Sequence, residues 1–222
     1  MAFPVLVETA ATSNGTATTT PAITLPDNLA TGQLLIVYLF NDYNITENNT
    51  PTGWTELHQS EPTSAMRCSI FWKVSEGDEG TELDFTSGNV EYSGCAFSFN
   101  DHDSSTNPPE IATATASFGT QDPPSLTPGG GSLEYKWLAQ GSRDANTTAY
   151  SPPSGYTELV DFSGSGAPSI SVAHLDVEAS AENPGTFTNS TSGVWLASTI
   201  AIYPGSEGGA TGPSVFPQTV WM

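Results

Sequence analysis

"PTGWTEL" (Pro51–Leu57) and "PSGYTEL" (Pro153–Leu159) are nearly the same heptad, and Pro153 lies 102 positions after Pro51. Proline fixes φ, glycine adopts a backbone conformation other residues avoid, and the aromatic that follows anchors whatever comes next, so each heptad reads as a turn feeding a β-strand. The likeness extends on both sides at an offset of about 102 to 105. "TAATSNGT" (9–16) matches "TATASFGT" (113–120), "NDYN" (41–44) matches "RDAN" (143–146), and "GTELDFT" matches "GTFT". The chain therefore reads as a tandem duplication covering about residues 3–103 and 107–204.

Short apolar or alternating runs separated by Gly, Pro, Asn and Ser recur throughout, and helical periodicity is nearly absent. Strands are predicted near 3–8, 33–40, 54–59, 66–74, 81–86 and 90–99 in the first copy. Six more are predicted near 110–117, 132–140, 155–162, 169–177, 185–189 and 193–203. Two copies of six strands joined by the short connector "NDHDSSTNPPE" define an all-β chain. The expectation is one jelly-roll-like β-sandwich over residues 1–204, rather than two independent domains. From Pro204 the character changes. "PGSEGGATGP" reads as a flexible linker and "SVFPQTVWM" as an apolar docking tail, so 205–222 is set apart from the sandwich. Val215, Phe216, Val220 and Trp221 are costly to leave in water and are the candidate partner-docking residues.

Four Lys and Arg stand against 24 Asp and Glu, a formal net charge of −20. Phosphate backbones and anionic bilayers repel such a chain, which disfavours nucleic-acid and membrane-surface roles. No stretch approaches the ~20 apolar residues of a membrane span. The opening "MAFPVLVETAATSNG" lacks the basic segment of a secretory leader.

Few residues look like chemistry. Glu56 and Glu158 sit in the heptads, but a glycosidase needs two carboxyl groups in unlike environments, whereas duplication gives equivalent glutamates like ones. Cys68 and Cys95 share strand faces with apolar residues. The alignment sets Cys68 on Ile170 and Cys95 on Ile200, so both read as small buried hydrophobes, with a disulfide as the alternative. His174 falls on Trp72, and the cluster Asp101, His102, Asp103 reads as a solvated turn between the halves. The repeated Asp-x-Asn of Asp42/Asn44 and Asp144/Asn146 is the one polar pattern kept by both copies. It suits either part of a Ca²⁺ shell or an Asx-capped turn. No cofactor is expected, and no enzyme activity.

Over residues 20–100 the pattern "TGQLLIVYLF…PTGWTEL…IFWKVSEGDEGTELDF", carried by Gly32, Leu34, Leu35, Pro51, Gly53, Trp54 and Trp72, resembles phage-type virion β-sandwich proteins of tailed viruses. The second copy resembles them more faintly, with Tyr156 in place of the tryptophan. The resemblance implies a structural protein on the outer surface of the virion. Capsid decoration is expected, with viral capsid or tail proteins and further copies of the chain as partners. The alternative is a tail-associated carbohydrate-binding or adhesin module.

Overall fold

In a computed structural model of the chain, residues 1–42, 48–63, 66–144, 150–162, 166–189 and 193–205 are described. All regular structure among them is β: β1 (Val5–Thr18), β2 (Ala22–Thr24), β3 (Leu34–Asp42), β4 (Thr55–Thr63), β5 (Met66–Val74), β6 (Glu82–Asp84) and β7 (Val90–Asn100) from the first copy. The second copy supplies β8 (Glu110–Ala116), β9 (Leu133–Arg143), β10 (Thr157–Phe162), β11 (Ser169–Ala179) and β12 (Trp195–Ile202).

Each copy builds one complete antiparallel sheet. The first has the order β1-β7-β3-β5-β4 and the second β8-β12-β9-β11-β10, which is the same order strand for strand. The duplication legible in the heptads is thus a duplication of topology. The chain finishes one sheet before it begins the other, so the jelly-roll path, in which consecutive strands cross between sheets, is not the one it follows. β1 lies against β10, β4 against β8, and β7 against β11. The Ser93 hydroxyl also donates across the sandwich to the Pro168 carbonyl at 2.6 Å.

Both faces of each sheet are covered, which explains why "LLIVYLF" is apolar without alternating. Leu34, Ile36, Tyr38 and Phe40 point inward, into a core shared with Leu138, Ile170, Val172, Leu196, Ile200 and Ile202 of the other sheet. Val37 and Leu39 point outward, where Ile23, Leu25, Leu83, Phe85 and the half-buried Trp54 cover them. The second sheet is covered in the same way: Tyr135, Trp137 and Ala139 pack under Leu126, Tyr150, Tyr156, Phe187 and Tyr203. In the first copy the covering segments pair as β2 and β6. In the second, isolated bridges Leu126↔Glu182 and Ser151↔Thr188 take that role, so the strand predicted near 185–189 is not formed.

The heptads are structural corners. Trp54 N–H donates to the Pro51 carbonyl and Tyr156 N–H to the Pro153 carbonyl, both at 3.1 Å. Gly53 and Gly155 take φ of 81° and 88°. Each following strand then carries a bulge at the leucine, between Glu56 and His58 in β4 and between Glu158 and Val160 in β10. The bulges turn Leu57 and Leu159 onto the shared core. Replacing Gly53 or Gly155 by alanine forces a Cβ into a left-handed conformation. We expect each substitution to cost about 1–2 kcal/mol, read as a lower urea midpoint at unchanged slope.

Strand pairing corrects the alignment in detail. Phe40↔Cys68 in the first sheet corresponds to Ser142↔Ile170 in the second, which confirms Cys68 on Ile170 at an offset of 102. Tyr38↔Cys95, however, corresponds to Gln140↔Ser198, so Cys95 matches Ser198 and not Ile200. Both thiols are free, wholly buried, and pushed well above their usual range by that burial. They lie on β5 and β7, which flank β3 instead of pairing with each other.

The loop "VSEGDEG" before β6 is built around a carboxylate. Burial alone would raise the pKa of Glu79. Instead, bonds from the Ser75 hydroxyl (2.7 Å), Glu76 N–H (2.6 Å) and Lys73 (3.2 Å) bring it from 4.5 to about 2. Because the folded-state pKa is depressed, this carboxylate stabilises the fold above pH ~4.5, and its contribution is lost as pH falls from there towards ~2.

Candidate functional site

Asp42 ends the central strand β3, and Asp144 immediately follows its counterpart β9. The two sheets bring these equivalent aspartates to the same end of the sandwich, close enough that the charge of Asp144 raises the pKa of Asp42. Asp42 Oδ1 accepts the Glu91 N–H at 2.7 Å, and Ala17, Asp42, Asn89 and Glu91 line a shallow depression of about 250 Å³. Gly166, in the connection between β10 and β11, approaches Glu91 and Gly15.

Electrostatics at this end are unfavourable. Burial, then the neighbouring charges of Glu91 and Asp144, lift the Asp42 pKa from 3.8 to about 6 in spite of the Glu91 N–H bond, and burial raises Asp144 as well. A carboxyl whose folded-state pKa is raised costs stability when it is ionised. The cost is full above pH ~6 and vanishes below ~4. Asp42→Asn keeps the acceptor for Glu91 N–H and removes the charge. It should stabilise the fold by ~1–2 kcal/mol at pH 7.5 and leave it nearly unchanged at pH 4, read from urea titrations at the two pH values.

The partners of these aspartates in the repeated pattern, Asn44 and Asn146, lie outside the described residues, as do the docking residues Val215, Phe216, Val220 and Trp221. Among the described residues no group of three or more His, Cys, Asp or Glu side chains is placed to hold a metal ion.

The remaining candidates are held in structural roles. Glu56 and Glu158 lie on β4 and β10, at opposite lateral edges of the sandwich, so the arrangement does not bring them together. Glu56 is bonded locally to Gln59 at 3.2 Å. Tyr156 is buried with its hydroxyl on Glu182 (3.3 Å). His102 lies half-buried at the start of the turn between the halves, its ring tied down: Nε2 donates to the Gly32 carbonyl at 2.8 Å while Nδ1 accepts Ser104 N–H at 3.1 Å. This pair of bonds requires the neutral ring, and burial lowers its pKa accordingly. The same segment is stitched to the chain after β12 through Asp103 N–H to Tyr203 O and Gly205 N–H to Asp101 O.

One cluster was not legible in the sequence. His174 replaces Trp72, as the alignment predicts, but Leu34 and Val74, a cross-strand pair in the first sheet, are replaced by Lys136 and Asp176. Lys136, almost wholly buried, bonds Asp176 at 2.5 Å, with His174 3.7 Å from the same carboxylate oxygen. Only the register offset reveals that three apolar positions become a basic, an acidic and an imidazole group together.

Fold and candidate site together define a duplicated antiparallel β-sandwich with one sheet per repeat and its motif residues held in corners and cores. No protein family, no curated protein and no solved structure matches the chain.

Proposed function

We propose that this chain is a non-enzymatic structural protein of a tailed-virus particle, most concretely a capsid decoration protein that binds neighbouring shell subunits on the outer surface. The supporting observation is that the residues carrying the resemblance have architectural jobs. Gly53 and Pro51 form the corner, Trp54 covers the outer face of the first sheet, and Leu34 and Trp72 pack in or against the shared core. The chain then offers a partner its sheet edges and its apolar segment, with Val215, Phe216, Val220 and Trp221 as the docking side chains. A carbohydrate-binding role has less support. The aromatics that would stack on a sugar, Trp54 and Tyr156, lie against the covering layers of their own sheets.

The test is incorporation. Chain ending at Pro204 is supplied beside the full chain to assembling particles, and both are quantified after sedimentation. The full chain is expected in the particle fraction, and the shortened one, still folded, in the soluble fraction. Equal incorporation of the two contradicts docking through the apolar segment.

A further inference from the structure

We propose that two copies of this chain pair through the open edge of β1, antiparallel about a two-fold axis at Ala11, so that the first sheets of the two copies run on as one. The contact concerns the sandwich alone. It does not require the particle role, and it is tested without particles.

Three observations select the edge. Among the described residues the one neighbour of β1 in its sheet is β7, so the N–H and C=O groups along its other side face no strand. Its fourteen residues, "VLVETAATSNGTAT", hold one charged side chain, Glu8, whereas β4 carries Glu56 and Glu61 and the short β10 carries Glu158 and Asp161. Charges of that kind keep edges from pairing. The remaining edge strand, β8, is half as long at 7 residues, and its one large apolar residue, Ile111, is packed on the shared core. β1, by contrast, starts with Val5 50% and Val7 41% exposed.

The occupant follows from the symmetry of the strand. Pairing with β7 is uninterrupted from Glu8 to Asn14, with irregularities just before and just after, so a regular stretch centred on Ala11 forms the edge. The exposed positions of β1 are Val5, Val7, Ala11, Gly15, Thr16 and Ala17, and all but Thr16 map onto one another by rotation about Ala11. In that register Val5 meets Ala17, Val7 meets Gly15, Glu8 meets Asn14 and Ala11 meets itself. Small exposed residues thus cover the exposed valines. The one carboxylate of the edge faces an amide that can donate to it, and not its own symmetry mate. A two-fold contact requires a self-complementary patch of this kind. Opposing it is the formal charge of −20 on each copy, and β10, which lies against β1, brings Glu158 and Asp161 towards their mates. Salt screens such charges, so the contact should tighten as ionic strength rises.

Sedimentation of the purified full chain, joined to hydrogen exchange, tests this. Protein at on the order of 100 μM should form dimers that dissociate on dilution. Amides over residues 8–14 should be protected in the dimer and exchange about tenfold faster after dissociation, while β3 and β9 are unchanged. Asn14→Glu sets carboxylates opposite each other at both ends of the register and should weaken the dimer about tenfold; adding Glu8→Lys makes both ends complementary and should restore it. A chain that is monomeric at every concentration overturns the proposal, whether 8–14 exchange fast or are protected by another part of the same chain. So does a dimer in which 8–14 exchange as fast as in the monomer, or one indifferent to Asn14→Glu.

Discussion

Cutting the chain between its copies, within 101–109, is expected to yield two fragments that are each unfolded or aggregated alone, and that form a folded one-to-one complex when refolded together. The reason is the division of the core. Leu34, Ile36, Tyr38, Phe40, Met66, Cys68, Ile70, Cys95, Phe97 and Phe99 of the first sheet lose their partners if the second sheet is absent. At ~1.5–3 kcal/mol for each large side chain exposed, the loss is on the order of 15–30 kcal/mol. A domain has only ~5–15 kcal/mol of net stability to set against that.

Nor can one copy substitute for the other. At the shared face the first sheet presents Tyr38 and Phe40 where the second presents Gln140 and Ser142, and Cys95 where the second has Ser198. Two first copies would meet large side chain against large, so the fragments should form the mixed pair and not like pairs. Circular dichroism of each fragment and of the mixture, with size-exclusion chromatography of the mixture, reads the result. A cooperatively melting monomer from either fragment alone would contradict a shared core.

Gly94→Ala is the point substitution with the largest expected effect. Gly94 lies on the outward side of β7, and a Cβ there would sit 2.2 Å from the Tyr38 carbonyl oxygen and 2.5 Å from Ile23 Cδ1. The carbonyl belongs to a central strand paired on both sides, so the backbone cannot yield without disturbing two ladders. Overpacking of flexible side chains typically costs ~1–3 kcal/mol, and here the obstacle is backbone, so a loss of about 3 kcal/mol or more is expected. Chemical denaturation measures it. Gly119→Ala provides a contrast, since open space surrounds that Cβ and its cost comes from φ alone.

These two predictions depend on features of unequal legibility. The heptads reported the corners because Pro, Gly and an aromatic at fixed spacing leave few alternatives, and even the bulges that follow them are repeated. β5 was bounded correctly because "MRCSIFWKV" is both apolar and ended by a Gly-rich loop. β1 was predicted to stop at residue 8 and in fact continues to Thr18. "TAATSNGTAT" has no apolar alternation, and its strand character comes from pairing with β7, a contact between distant parts of the chain. The three-residue β2 has the same cause. The jelly-roll-like path expected from the sequence is not the one taken, because strand order depends on which strands pair and not on where they lie in sequence. At the candidate site, the repeat brought Asp42 and Asp144 to attention. Their meeting at one end, with Glu91 contributed by β7, follows only from the pseudo-symmetric stacking of the sheets. The Lys136–Asp176 pair was hidden because each residue, taken singly, looks like an ordinary solvated position on a strand.

The functional account turns on where the protein resides. Its most direct test is imaging of tailed particles produced by the source of this sequence, labelled with an antibody raised against the sandwich (residues 1–204). The account predicts regularly repeated label on the outer shell, retained through gradient purification. Particles that carry no label, with the protein recovered entirely in the soluble fraction, would contradict it.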